Sequence, residues 1–122
     1  MAWEFKSGIP IYLQIVETLK TEIASGKLRA GDPIRTVRDL AVEAGVNPNT
    51  MQRALAQMEQ EGILYTVRAS GRFVTKDEER IRKMRIQLAE EEVRSLYRRL
   101  TGIGLSREEI IRSVQNWKEE EG

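Results

Sequence analysis

Cysteine and histidine are both absent from the 122 residues. Without cysteine there is neither a disulfide framework nor a thiolate metal site. Without histidine the commonest transition-metal ligand and the commonest general base are missing together. No phosphate-cradling glycine loop replaces them, so the plentiful Asp and Glu side chains lack the partners of an enzyme site, and no cofactor is called for. No apolar run approaches the roughly 20 residues of a membrane span. The opening Met1-Ala2-Trp3-Glu4-Phe5-Lys6 lacks the apolar core of a secretory signal. The expectation is a cytoplasmic protein with no membrane partner. Excess charge is also missing: 20 Lys and Arg face 19 Asp and Glu, a formal net charge of +1. DNA-binding domains are often far more basic, because phosphate neutralisation supplies most non-specific affinity. Composition alone therefore does not indicate nucleic acid, and only the placement of the charges can.

What is present suits one domain, or a small domain with an appendage. Apolar residues at 40% are enough for a core, and charged residues at 32% indicate a well-solvated surface. Residues 1 to 9 read as an arm or short strand, with Trp3 and Phe5 available for packing. A helix is expected from about Pro10, which fits the first turn where its missing N–H is harmless, to Ser25, closed by Gly26. Ile11, Ile15, Leu19 and Ile23, with Tyr12 and Val16 beside them, share one face and read as core. Lys27 to Ile34 is a turn-rich link, tightest at Ala30-Gly31-Asp32-Pro33.

The most informative stretch is Thr36 to Thr75. Thr36 is an N-cap, with Asp39 three residues on in the manner of a capping box, and that helix ends near Gly45. Asn47 caps a second helix and Pro48 takes its first position. Two helices around a tight turn make a helix-turn-helix. Projecting the second helix at about 100° per residue gathers Met51, Leu55 and Met58 on one side, with Ala54 beside them. Asn49 and Arg53 lie opposite, flanked by Thr50, Gln52 and Gln57. This outward face is polar and acid-free for two turns. Asn and Gln can pair bidentately with adenine and Arg with guanine in the major groove, whereas the bland alternative is an ordinary solvated face.

The hairpin behind it favours the first reading. Ile63 to Val67 and Arg72 to Thr75 are strand-forming segments around an Arg-Ala-Ser-Gly turn, where Gly71 frees the backbone. Arg68 and Arg72 flank the tip, from which a wing reaches a phosphate or the adjoining minor groove. Arg35, Arg38, Arg53, Arg68 and Arg72 all fall at the ends of the reading elements.

Residues Pro10 to Thr75 resemble the winged-helix domain of GntR-type bacterial transcription regulators. The matching pieces are Pro10-Ile11-Tyr12 with Gln14-Ile15, Gly26-Lys27-Leu28, Gly31-Asp32, Thr36-Val37-Arg38 with Leu40-Ala41, Val46-Asn47-Pro48-Asn49-Thr50, Glu61-Gly62, and Gly71 with Phe73-Val74. Asn47-Pro48-Asn49-Thr50 and the short tail are similar to the YtrA-like subfamily, whose C-terminal part is a pair of dimerising helices. The resemblance implies that Arg38 contacts DNA near the start of the first motif helix. It also implies that Asn47, Asn49, Thr50 and Arg53 meet the major groove, and that Gly71 is the wing-tip glycine. Arg35 departs from the family's usual proline before Thr-Val-Arg, Ala69 from a usual glycine, and Arg72 from a usual threonine.

From Lys76 onward the charges become dense and balanced, and there is no proline. Ile81, Met84 and Leu88, then Ala89, Val93, Leu96, Tyr97 and Leu100, form a helical stripe. Gly102 and Gly104 bracket a loop. Ser106-Arg107-Glu108-Glu109 is a capping box for a last helix carrying Ile110, Ile111, Val114 and Trp117. Neither helix can bury its apolar face alone, so the faces fold back on the domain or pair with another copy; the resemblance favours pairing. Glu90-Glu91-Glu92 and Glu119-Glu120-Glu121 read as solvated faces.

The expected fold is mainly α with a small β-hairpin: a winged helix-turn-helix over residues 1–75, then a two-helix dimerisation appendage over 76–122. The expected function is sequence-specific DNA binding by a homodimer on an inverted-repeat operator. Asn49, Thr50 and Arg53, with Gln52 beside them, would read bases. Arg35, Thr36, Arg38, Arg68, Ser70 and Arg72 would position the backbone. Repression is the direction the resemblance implies. About 45 residues after the wing make a poor host for a pocket of a few hundred cubic ångströms. An unidentified small-molecule effector would therefore sit at the dimer interface or at the hinge between Thr75 and Ile81. The rival is a winged helix used for protein–protein interaction without specific DNA binding.

Overall fold

The computed structural model describes residues 3–119, in the order α1 (Ile11–Ala24), α2 (Val37–Ala44), α3 (Pro48–Gln60), β1 (Leu64–Val67), β2 (Gly71–Val74), α4 (Glu78–Gly102) and α5 (Arg107–Asn116). The mainly helical fold with one antiparallel hairpin agrees with the expectation. Glu120 and Glu121 of the anticipated acidic run lie outside the described residues.

Local signals set the motif. Thr36 Oγ1 accepts the Asp39 amide at 3.1 Å, so the N-cap forms. Gly45 closes α2 in the left-handed region at φ 70°, ψ 36°, where a side chain would be strained. Asn47 Oδ1 accepts the Asn49 amide at 2.7 Å and Pro48 opens α3. Strands β1 and β2 pair from Leu64 with Val74 to Val67 with Gly71. The free edge of β2 is covered by the link after α1. Gly31 donates to the Val74 carbonyl, Val74 to that of Asp32, and Ile34 to that of Arg72. What reads as a loop in sequence thus works as an irregular third strand, with Pro33 bridged to Phe73.

The core lies where α1, α2 and α3 meet the base of the hairpin. Ile15, Leu19, Leu40, Met51, Leu55, Met58 and Val74 are fully buried there. Each such aliphatic side chain contributes about 1.5–3 kcal/mol through burial. The arm contains no strand among its described residues. Its backbone is instead held by Gln14, which accepts from the Lys6 amide and donates to the Lys6 and Ile9 carbonyls, all within 2.9 Å.

Two compact units emerge, residues 1–85 and 86–122. The first extends ten positions past the expected limit at Thr75. The cause is the start of α4, where Ile81 and Met84 are buried within a single chain. Arg80 donates to the Glu61 carbonyl and Arg85 to that of Ala24. Ile81 and Met84, expected at a dimer contact, are already buried in the single chain within the first unit. In the second unit the capping box at Ser106 and Glu109 forms in full, and Ile110 is buried. Helix α5 ends before Trp117, whose backbone is extended.

Candidate nucleic-acid interface

The exposed side of α3 carries the side chains expected to read bases. Asn49, Gln52 and Arg53 are exposed and Thr50 is half-buried, while Met51, Ala54, Leu55 and Met58 are turned inward. No carboxylate occurs on this helix until Glu59, so nothing acidic would repel a phosphate over its first turns. Asn47 is exposed, but its side-chain oxygen is committed to the helix cap.

The cations divide into two kinds. Arg38 and Arg68 are exposed, and neither has an acid within ion-pair distance among the described residues. Arg35 and Arg72, also expected at the DNA backbone, are paired with acids. Arg35 Nε lies 3.0 Å from Glu43 Oε2, and its Nη2 lies 3.7 Å from Glu22 Oε2. Arg72 is half-buried and paired with Glu59, whose same oxygen also accepts the Thr66 hydroxyl at 2.9 Å. The Arg72 hydrogen bond holds the Glu59 carboxyl below the ordinary carboxylate range, outweighing a partial burial that acts the other way. Both departures from the family pattern at these arginines therefore come with acids that neutralise them.

A second clamp closes the far end of α3. Lys20 Nζ lies 2.6 Å from Glu61 Oε1, and Gln57 donates to Glu61 Oε2 at 2.9 Å. Burial pushes the Glu61 carboxyl up, but these two hydrogen bonds bring it below its usual value. Gln57, expected beside the reading face, is engaged in this clamp.

The wing tip is a turn closed by the Ser70 amide on the Val67 carbonyl at 3.0 Å. Arg68, Ser70 and Gly71 are exposed on it. Ala69 adopts φ 69°, the left-handed region that glycine would occupy without strain. The family's usual glycine at this position thus has a direct geometric reason.

One neighbour of the reading face was not foreseen. The Arg53 guanidinium carbon lies 3.8 Å from the centroid of the Tyr12 ring, on the first turn of α1. Tyr12 reads in sequence as part of the core stripe, yet it is only half-buried. Its polar hydroxyl, in a stripe otherwise aliphatic, is the signal that could have marked it as a rim position.

Residues 11–74 match the model of the family described as "Bacterial regulatory proteins, gntR family". The chain belongs to the GntR family. Among curated GntR relatives, the "Uncharacterized HTH-type transcriptional regulator YhcF" of Bacillus subtilis is 32% identical over 95% of this chain and 96% of its own. The "HTH-type transcriptional repressor YtrA" of the same organism is 36% identical over 59% of this chain and 55% of its own, which makes this GntR protein YtrA-like. A solved "GntR family transcriptional regulator from Listeria monocytogenes" superposes with a TM-score of 0.84 at 38% identity, covering 93% of this chain and all of that one. The AraR DNA-binding domain, solved in complex with operator ORX1, gives a TM-score of 0.56 at 28% identity over 62% of this chain and 99% of that one. These GntR relatives are regulators, not enzymes, and YhcF and the Listeria structure match this chain along nearly its whole length. No helix of the described residues is long and apolar enough to cross a membrane.

Proposed function

We propose that this GntR-family regulator is a repressor that binds an inverted-repeat operator as a homodimer. The observation that carries the reading is the acid-free exposed face of α3, with Asn49, Gln52 and Arg53 on it and an exposed wing tip in the same compact unit. Asn49, Thr50 and Arg53 read base edges, because amide and guanidinium groups match the major-groove patterns of adenine and guanine. Arg38, Arg68 and Ser70 fix the protein on the phosphates, aided by the positive dipole ends at the starts of α2 and α3. That AraR's similar domain was solved on an operator supports the same use of the fold here, and YtrA's description as a repressor supports the direction.

Dimerisation is supported by the second unit, where Val93, Tyr97, Ile103, Ile111, Val114 and Trp117 all leave large apolar surface exposed. Two such faces shielding one another would remove that area from water, and a two-fold pair reads two inverted half-sites. The deciding experiment is enrichment of bound duplexes from a randomised pool, followed by titration of the winner with Asn49→Ala and Arg53→Ala. A symmetric consensus and a selective loss in both variants are the expected result. Specific binding that survives both changes in a folded protein would remove α3 as the reading element. A chain that enriches no sequence would favour the protein-interaction reading, which draws on the net charge of +1.

A further inference from the structure

A carboxylate and an aromatic face both restrain arginines among the described residues, and they leave the cation with different chemistry. Arg35 and Arg72 are held by carboxylates, which cancel the charge and, at Arg72, occupy an N–H donor. Arg53 is held by an aromatic face. Its guanidinium carbon is 3.8 Å from the Tyr12 centroid, and no described residue accepts a hydrogen bond from it. A ring face attracts the cation through its quadrupole and takes up none of the five in-plane N–H donors. The side chain is restrained while its hydrogen-bonding edge and its charge stay available.

We propose that Tyr12 is a positioning residue for recognition: its ring is a shelf that holds Arg53 in the orientation that reads a base, although α1 itself contributes no base contact. The inference rests on the DNA-binding reading above. An unrestrained arginine loses the freedom of a long, many-rotamer side chain when it docks, and that loss weakens binding. With Arg53 lying on Tyr12, much of that ordering precedes the encounter. The placement is built into the core. Tyr12 sits one turn before the buried Ile15 and Val16, while Arg53 lies between the buried Met51 and Ala54 of α3. The packing of α1 on α3 therefore sets the distance from ring to guanidinium. Sequence specificity thus depends on a residue outside the helix-turn-helix, at a place where the chemical requirement is an aromatic face and not a hydroxyl.

The test uses the full chain and the duplex enriched by the wild type, together with that duplex carrying every single base-pair change. Arg53→Ala should flatten the preference at one base pair per half-site. Tyr12→Leu should lower discrimination at that same base pair by about threefold, the worth of a partly exposed cation–π contact, and Tyr12→Phe should leave it intact. In an Arg53→Ala background Tyr12→Leu should have no further effect. In the free protein, the ring-current shift of the Arg53 side-chain protons should vanish in Tyr12→Leu and persist in Tyr12→Phe. Melting curves check that the leucine variant is folded. The shelf is overturned if Arg53→Ala flattens the preference while Tyr12→Leu leaves it whole, or if Tyr12→Phe behaves like the leucine variant. It is equally overturned if the effect persists without Arg53, or if Tyr12→Leu sharpens discrimination, which would make the ring a resting place that competes with DNA. Failure of the wild type to enrich any sequence would overturn the DNA-binding reading, and the shelf with it.

Discussion

Arg72, on the second wing strand, lays its guanidinium against the carboxylate of Glu59 near the end of α3, and with the Thr66 hydroxyl on the same oxygen this ties both wing strands to the proposed reading helix. The pair lies 13 positions apart in sequence and joins two elements whose relative placement decides which groove surfaces they can reach together.

This tie should be acid-sensitive. The Glu59 carboxyl is depressed in the fold, mainly by its hydrogen bond from Arg72. A lowered folded value means the contribution is whole above the unfolded value and disappears as pH falls through the folded one. Denaturant unfolding measured from neutral pH down to about pH 3 should show a loss on the order of 1 kcal/mol that Glu59→Gln lacks. Glu61 is also depressed, so the difference between wild type and Glu59→Gln isolates the wing tie. No histidine adds a step near neutrality.

The four arginines should separate in a salt titration. Arg38→Ala and Arg68→Ala remove unpaired cations, so each should weaken binding to all sequences alike and reduce the log–log salt slope by about one. Arg35→Ala removes a charge already shared with Glu43 and Glu22 and should change the slope by much less. Arg72→Ala should likewise preserve the slope while loosening the wing, seen as faster amide exchange in residues 64–74.

Ala69→Gly should stabilise the protein. An alanine in the left-handed region costs about 1–2 kcal/mol, part of which is offset because glycine makes the unfolded chain freer. A net gain of about 0.5 kcal/mol corresponds to a rise in melting temperature of roughly 2–4 °C. An unchanged or lower melting temperature would show that the turn relaxes around alanine without strain.

Val114→Glu and Val93→Glu place charges on exposed apolar positions of the second unit. Sedimentation velocity should shift from dimer to monomer, and operator affinity should fall at least tenfold as cooperative use of two half-sites is lost. The thermal transition of residues 1–85 should persist, because neither valine belongs to that unit.

The parts of this fold that were legible in the sequence are those set by neighbours along the chain. Asn47-Pro48 fixes the start of α3, Gly45 the end of α2, and Ser106 with Glu109 the start of α5, because caps operate over three or four residues. The helical period also sorted α3 correctly, with Met51, Leu55 and Met58 inside and Asn49, Gln52 and Arg53 outside. Pairings between separate elements were not legible. Nothing local indicates that Arg72 meets Glu59, or that Arg35 meets Glu22, since packing alone brings those pairs together. The same applies to Ile81 and Met84. They continue smoothly into Leu88 on one helical stripe, and periodicity cannot show where along a stripe one compact unit ends.

The boundary between the two units falls inside α4, between Arg85 and Ile86, and not in a loop. Regulators of this kind are modular, and modules are usually exchanged at flexible joints. Here a recombination event at the apparent joint after Thr75 would strip Ile81, Met84, Arg80 and Arg85 from the half they complete, leaving the Glu61 and Ala24 carbonyls without their arginine donors. A functional chimera therefore has to break mid-helix, keeping the first two turns of α4 with the unit they complete.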